Sequence, residues 1–363
     1  MRSAVRAAAL AALAIAGTCA IGARSPGKKL IEFGWDEPDT RFMRDHIAQL
    51  QASPFDGCVF HVNYRLMNGT VRNFTWDLWG RARFKPSDLD SARADLVATK
   101  FGRFRENFLR VNVTPGDLDW FEDYSAVMNN LELAARLAKQ GGCPGILFDD
   151  EPYRVELWNL QAQTKAYHHA TDSLYAQVRQ RGREAMAALE RGYPGLTVFL
   201  TFGYSEPMSE SVGYRKPVSD TRYALLVPFL DGMIAAASDS AVIVDGHEGA
   251  YPFRDPALFA ARSDSMRHAA KRLAAQPERY SRLLSVGFGI WLDVHADQVG
   301  WHIDHPESNY FTPSAFAVSV QAALDHADRY VWIYNQRPRW WTVEGGRKDV
   351  PAAYDSVLRA VRR

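Results

Sequence analysis

The chain has 363 residues, with 43 basic and 42 acidic side chains and a net charge of +1. That balance excludes the dense basic footprint of a nucleic-acid binder, and two cysteines beyond residue 23 are too few for a disulfide scaffold. What stands out is aromatic content, ten Trp and fifteen Tyr, in a chain without a low-complexity linker or a solenoid-length repeat.

Arg2 and Arg6 precede a short apolar run, Ala7 to Ala16, and Thr18-Cys19-Ala20 offers a small-x-small cleavage site. Residues 1–23 therefore read as a signal peptide and 24–363 as one exported domain, secreted or periplasmic. The apolar run is too short to span a bilayer, and Thr18 disfavours lipid attachment at Cys19.

The first strand is expected at Leu30 to Trp35, followed by a helix capped by Asp39 or Thr40 and reaching Gln51. Gly57 to Val62 is the second strand. A long polar and aromatic loop from Asn63 to Pro86 leads to a helix from Ser87 to Lys100. Phe108 to Val113 is the third strand, and Ser125 to Lys139 a helix stopped by Gly141. The fourth strand starts at Gly145. A helical region from Val155 to Arg191 follows, with a break expected near Gly182.

Leu196 to Tyr204 is the fifth strand, and a loop with Pro207, Gly213 and Pro217 precedes a helix at Tyr223 to Leu230. The sixth strand is Ala241 to Asp245, and Pro256 to Ala275 is helical. Ser285 to Asp293 is the seventh strand, Pro313 to His326 a helix, Tyr330 to Asn335 the eighth strand and Val350 to Arg362 the closing helix. Strand and helix thus alternate eight times, over the length of a single (β/α)₈ TIM barrel with long βα loops. No Gly-rich nucleotide loop follows any strand, which speaks against a doubly wound sheet.

The fourth strand carries the strongest functional signal. Gly145-Ile146-Leu147-Phe148 is apolar and then ends in Asp149-Asp150-Glu151 before Pro152. Unpaired charge is costly to bury, so these acids belong at the strand's C-terminal end, where barrels place their chemistry. Other strand ends behave alike. They supply Trp35, His61, Asn112, Tyr204, His247 and Glu248, Tyr251, Trp291, Asp293 and Asn335. Carboxylates and amides among aromatic rings suit a sugar, whose C–H faces stack and whose hydroxyls take hydrogen bonds.

Glycosidic cleavage needs two carboxyl groups. Glu151 is the expected general acid, its pKa raised by like charge on Asp149 and Asp150. Glu248, framed by Gly246 and Gly249, is the expected partner, and Asp293 its rival. The remaining strand-end residues, Asp149 and Asp150 included, are expected to bind an oligo- or polysaccharide substrate. No cofactor, nucleic-acid partner or membrane span is implied.

On these residues the chain resembles the barrel glycoside hydrolases. Asp150-Glu151-Pro152 looks like the Asn-Glu-Pro of the large retaining clan, whose Glu is the acid/base. Here Asp150 replaces the Asn, and strand seven ends in Asp293 where the clan has a Glu nucleophile. Asp149-x-Glu151 is also similar to the chitinase-type Asp-x-Glu, in which the Asp orients a substrate acetamido group that acts as nucleophile. Tyr251 would match that family's assisting Tyr, while the upstream Asp-x-x-Asp is missing, Gly145, Ile146 and Leu147 standing there. Two other readings stay open. One is a non-catalytic barrel that only binds glycans. The other is a metal-dependent hydrolase using Asp293, His295, Asp297, His302, Asp304 and His305 in the loop after strand seven, although no helical His-Glu-x-x-His is present.

Overall fold

Apolar runs buried on both faces become parallel strands, and eight do so here. They are β1 (Lys29–Gly34), β2 (Gly57–Phe60), β3 (Phe108–Asn112), β4 (Gly145–Asp149), β5 (Thr197–Leu200), β6 (Val242–Asp245), β7 in two pieces (Leu284–Val286 and Phe288–Trp291) and β8 (Tyr330–Asn335). The structure, a computed structural model, describes residues 27–341 and 349–362. The leader expected over residues 1–23, Cys19 included, lies outside the described residues.

Each strand pairs in parallel with the next, and the ring closes through β7. Its first piece pairs with β6, its second with β8, and β8 pairs with β1 from Lys29 against Tyr330 to Gly34 against Asn335. The fold is therefore the (β/α)₈ barrel read from the alternation. Ile31, Phe33, Val59, Phe108, Leu147, Phe199, Val244, Tyr330 and Trp332 fill the lumen. Their strand neighbours, such as Leu30, Leu109, Ile146, Val198 and Ile243, pack in the layer under the helices. Cys58 and Cys143 are buried and unpaired, as their placement two strands apart requires.

Four local expectations need correction. The loop after β2 contains a β-hairpin, Asn63–Arg65 with Val71–Asn73, too short to show a period in sequence. The helical region after β4 breaks at His168, which has φ 59°, giving helices Leu160–Tyr167 and Thr171–Gly192. Gly182 stays helical and allows a close crossing. A Cβ there would stand 1.9 Å from the Phe229 carbonyl, and one on Gly232 would stand 1.9 Å from that of Arg179. The segment with Pro207 and Gly213 is a helix, Ser205–Tyr214, since Pro207 sits in a first turn that needs no donor. The helix starting at Pro256 ends at His268, a 3₁₀ turn and a further helix, Pro277–Leu283, completing the crossover to β7. Among the described residues no helix is long and apolar enough to cross a membrane.

Candidate active site

β3 alternates Phe108, Arg110 and Asn112 on its inner side, so a guanidinium enters the barrel mouth. It cannot stay buried without partners, and it has two. Arg110 Nε and Nη2 donate to Asp149 Oδ2 at 3.0 and 2.5 Å, and Nη1 donates to Glu37 Oε2 at 2.8 Å. Phe33 and Trp76 each lie 5.0 Å from its centre, adding cation–π attraction. Tyr153 Oη donates to Asp149 Oδ2 at 3.0 Å, and the Glu151 N–H reaches Asp149 Oδ1 at 3.3 Å. Both Asp149 oxygens are thus occupied. Burial pushes the Glu37 carboxyl up, but Arg110 and His61 outweigh it and hold it below the ordinary value.

Asp150 turns away from the cleft and locks strand ends together. Its Oδ1 accepts from Thr201 Oγ1 at 2.7 Å and from the Phe202 N–H at 3.0 Å. The Thr201 carbonyl accepts the Glu248 N–H at 3.2 Å, so one residue after β5 links the Glu151 and Glu248 segments. His247, in the left-handed region at φ 39°, turns the chain so that Glu248 starts a one-turn 3₁₀ helix. Ser205 holds that turn, its Oγ donating to Asp245 Oδ1 at 2.9 Å and lying 3.0 Å from His247 Nδ1. Burial drives the His247 imidazole down to about 3, so it is neutral.

Glu151 and Glu248 share the electrostatics of one site. Burial, then the charges of Glu151, Asp149, Asp150 and Glu206, hold the Glu248 proton well above the carboxylate range. Glu151 is also raised, by burial first and Asp149 second. Against this, the Arg222 and Arg110 guanidiniums favour its anion. The expected like-charge effect on Glu151 is therefore secondary to burial and comes from Asp149.

Aromatic rings wall the mouth. Trp35, 64% exposed, donates Nε1 to Tyr334 Oη at 3.0 Å. Tyr251 stacks on Tyr334 at 5.5 Å and meets Trp291 edge-on at 5.6 Å. A cavity of about 190 Å³ opens beside Arg110 and is lined by Trp35, Glu37, His61, Asn73, Trp76 and Tyr334. Tyr223, from the segment before helix Leu226–Ala236, lies in the field of Asp150, Glu151 and Glu248.

Besides Asp150, four of the expected strand-end residues face elsewhere, and Asn112, on the inner side of β3, is tied to the local backbone. Tyr204 Oη donates to Asp231 Oδ1 at 2.7 Å, behind the barrel wall. Asn112 Oδ1 accepts the Thr114 N–H at 3.0 Å. Asn335 Nδ2 donates to Asp36 Oδ1 and the Pro338 carbonyl, both at 2.8 Å. Asp293 accepts from Trp291 Nε1 at 2.8 Å and from the Gln336 and Arg337 N–H groups at 2.9 Å, which ties down the loop after β8. His247 is enclosed, as described. The loop after β7 is dispersed as well: Asp297 pairs with Arg337, His302 bonds the Val299 carbonyl and His305 pairs with Glu307. Among the described residues no three His, Cys, Asp or Glu side chains converge to hold a metal ion.

Site residues missed from sequence are Glu37, Trp76, Arg110, Glu206, Tyr223 and Tyr334. Arg110, charged in an otherwise apolar strand, was a readable signal, and so was Tyr334, two residues after the inward Trp332. Glu206 and Tyr223 carried none: Glu206 opens a helix that Pro207 and Gly213 made read as a loop, and Tyr223 lies in the turn before helix Leu226–Ala236.

No known family profile and no curated protein matches the chain. One solved structure similar to it is the GH18 chitinase ChiB from the chitin utilization locus of Flavobacterium johnsoniae, 8% identical over 93% of this chain and 94% of that one. Its TM-score of 0.36 is too low for the likeness to carry an argument.

Proposed function

We propose that the protein is a glycoside hydrolase that cleaves an O-glycosidic bond with Glu151 and Glu248. The observation that supports this most is the convergence of two carboxyls with perturbed protonation, neither in an ion pair with a described residue, inside an aromatic-walled barrel mouth. Among the described residues the charges that act most on Glu248 are those of other carboxyls, so it keeps the pair's proton. Glu151, with Arg110 and Arg222 near, carries the negative charge. Glu248 is then the general acid that protonates the leaving oxygen. Glu151 is the carboxylate that attacks the anomeric carbon or takes a proton from the attacking water. This exchanges the roles expected from sequence.

The geometry favours two-carboxylate chemistry over the substrate-assisted route. Orienting an acetamido group would require Asp149 to give up its bonds to Arg110 and Tyr153. Trp35, Trp76 and Tyr334 offer faces for pyranose rings, and His61 and Asn73 offer hydroxyl partners. With the leader read from residues 1–23, the polysaccharide is met outside the cytoplasm.

The test is a panel of aryl glycosides and polysaccharides with the purified protein, with Glu151→Gln and Glu248→Gln alongside. Turnover lost in both variants supports the proposal. Glycan binding measured by calorimetry with no turnover by any form identifies a non-catalytic barrel instead.

A further inference from the structure

Bond cleavage uses two carboxyls, and besides Asp149 and Asp150 a third glutamate acts on the pair. Consecutive strands β4, β5 and β6 each deliver one glutamate just past their ends: Glu151, Glu206 and Glu248. Glu206 lies in the first turn of helix Ser205–Tyr214 and is half-buried. Its carboxyl makes no hydrogen bond or ion pair within the described residues. It lies against the turn that carries Glu248, because a Cβ on Gly249 would stand 3.5 Å from Glu206 Oε2 and 3.3 Å from His247 Nε2.

The charges around Glu206 come from every packed element. Asp245 lies on β6, Glu210 on its own helix, Arg262 on helix Pro256–His268 and Arg222 on the following loop. His247 is neutral, and the charge of Glu206 is among those that raise the Glu248 carboxyl. Burial, then Asp245 and Glu210, outweigh the guanidiniums and push Glu206 up to about 7.

We propose that Glu206 is a positioning residue that acts through Glu248, keeping it in its proton-donor form; this rests on the Glu151/Glu248 reading above. An anion beside Glu248 makes a second ionisation there more costly. Glu206 gains its charge near neutral pH, so its hold on the Glu248 proton strengthens as the solution turns alkaline. Glu248 also feels Glu151, Asp149 and Asp150, and these stay in place when Glu206 is changed.

The experiment measures pH profiles of kcat/KM on an aryl glycoside for the wild type, Glu206→Gln and Glu206→Asp. In parallel, the Glu248 side-chain carboxyl is titrated by ¹³C NMR, which needs no turnover. Glu206→Gln is expected to move the alkaline limb and the Glu248 titration down by about half a pH unit or more, while Glu206→Asp stays near the wild type. A limb and titration that stay put in folded Glu206→Gln overturn the proposal. Should that variant fail to fold, Glu206→Ala is measured. It removes the same negative charge and must shift the same limb downward, and an unmoved limb again overturns the proposal. Absence of turnover in every form condemns the hydrolase reading, while the Glu248 titration still decides the role of Glu206.

Discussion

Replacing Glu248 by Gln keeps the side chain's size and the 3.2 Å backbone bond to Thr201, and removes only the transferable proton. General-acid assistance contributes about 10²–10⁴-fold, equivalent to roughly 2.7–5.4 kcal/mol of barrier. That loss applies where the leaving oxygen must be protonated, as in an alkyl glycoside or a polysaccharide. A nitrophenolate leaves without help, so on that substrate the loss is expected to shrink towards tenfold or less, on the order of the remaining electrostatic change. Glu151→Gln removes a group needed whatever leaves, and should cost about 10² or more on both substrates. The assay is steady-state kcat for both variants on one good and one poor leaving group. If Glu248→Gln loses equally on the two while Glu151→Gln shows the leaving-group dependence, the electrostatic argument is refuted and Glu151 is the acid. If both variants turn over like the wild type, the pair is not catalytic.

Arg110→Met leaves Glu37 and Asp149 buried without their cation and should lower stability by about 3–5 kcal/mol in chemical denaturation, whereas a cost below 1 kcal/mol would show the pair to be dispensable. Glu32 is fully buried, and burial, then Asp36 and Glu37, raise its carboxyl well above 4.5. Its contribution is therefore complete below the unfolded value and is lost as pH rises through the folded one, with a slope approaching about 1.4 kcal/mol per pH unit between them. Glu32→Gln should accordingly gain Tm over the wild type as pH rises, and parallel Tm curves would disprove the assignment. Tyr204→Phe should cost about 1 kcal/mol through the lost hydrogen bond to Asp231, which keeps Arg179 and the Ala275 N–H, and leave kcat unchanged, so a large kcat loss would return Tyr204 to the cleft. A chain starting after residue 23 should titrate two thiols in denaturant and none when native, since Cys58 and Cys143 are buried and unpaired.

The sequence by itself determined the ladder of elements. Eight apolar runs with helical patterns between them leave few ways to bury both faces of each strand, and the acids after Phe148 had to lie at a strand end because charge is costly to bury. Glu151 and Glu248 were legible for that reason. Partnership was not legible, because it depends on which strand ends meet across the barrel. Asp293 reads like Glu248 in sequence, yet it is consumed by the N–H groups of Gln336 and Arg337, more than forty residues on. Asp149 reads like a substrate ligand and is held by Arg110 from the neighbouring strand. Glu206 and Tyr223 enter the site only because β5 and its helix lie between β4 and β6. Local pattern decides where a side chain sits along its strand. Ring closure decides which charges it faces, and in the proposed mechanism those charges decide which glutamate keeps the proton.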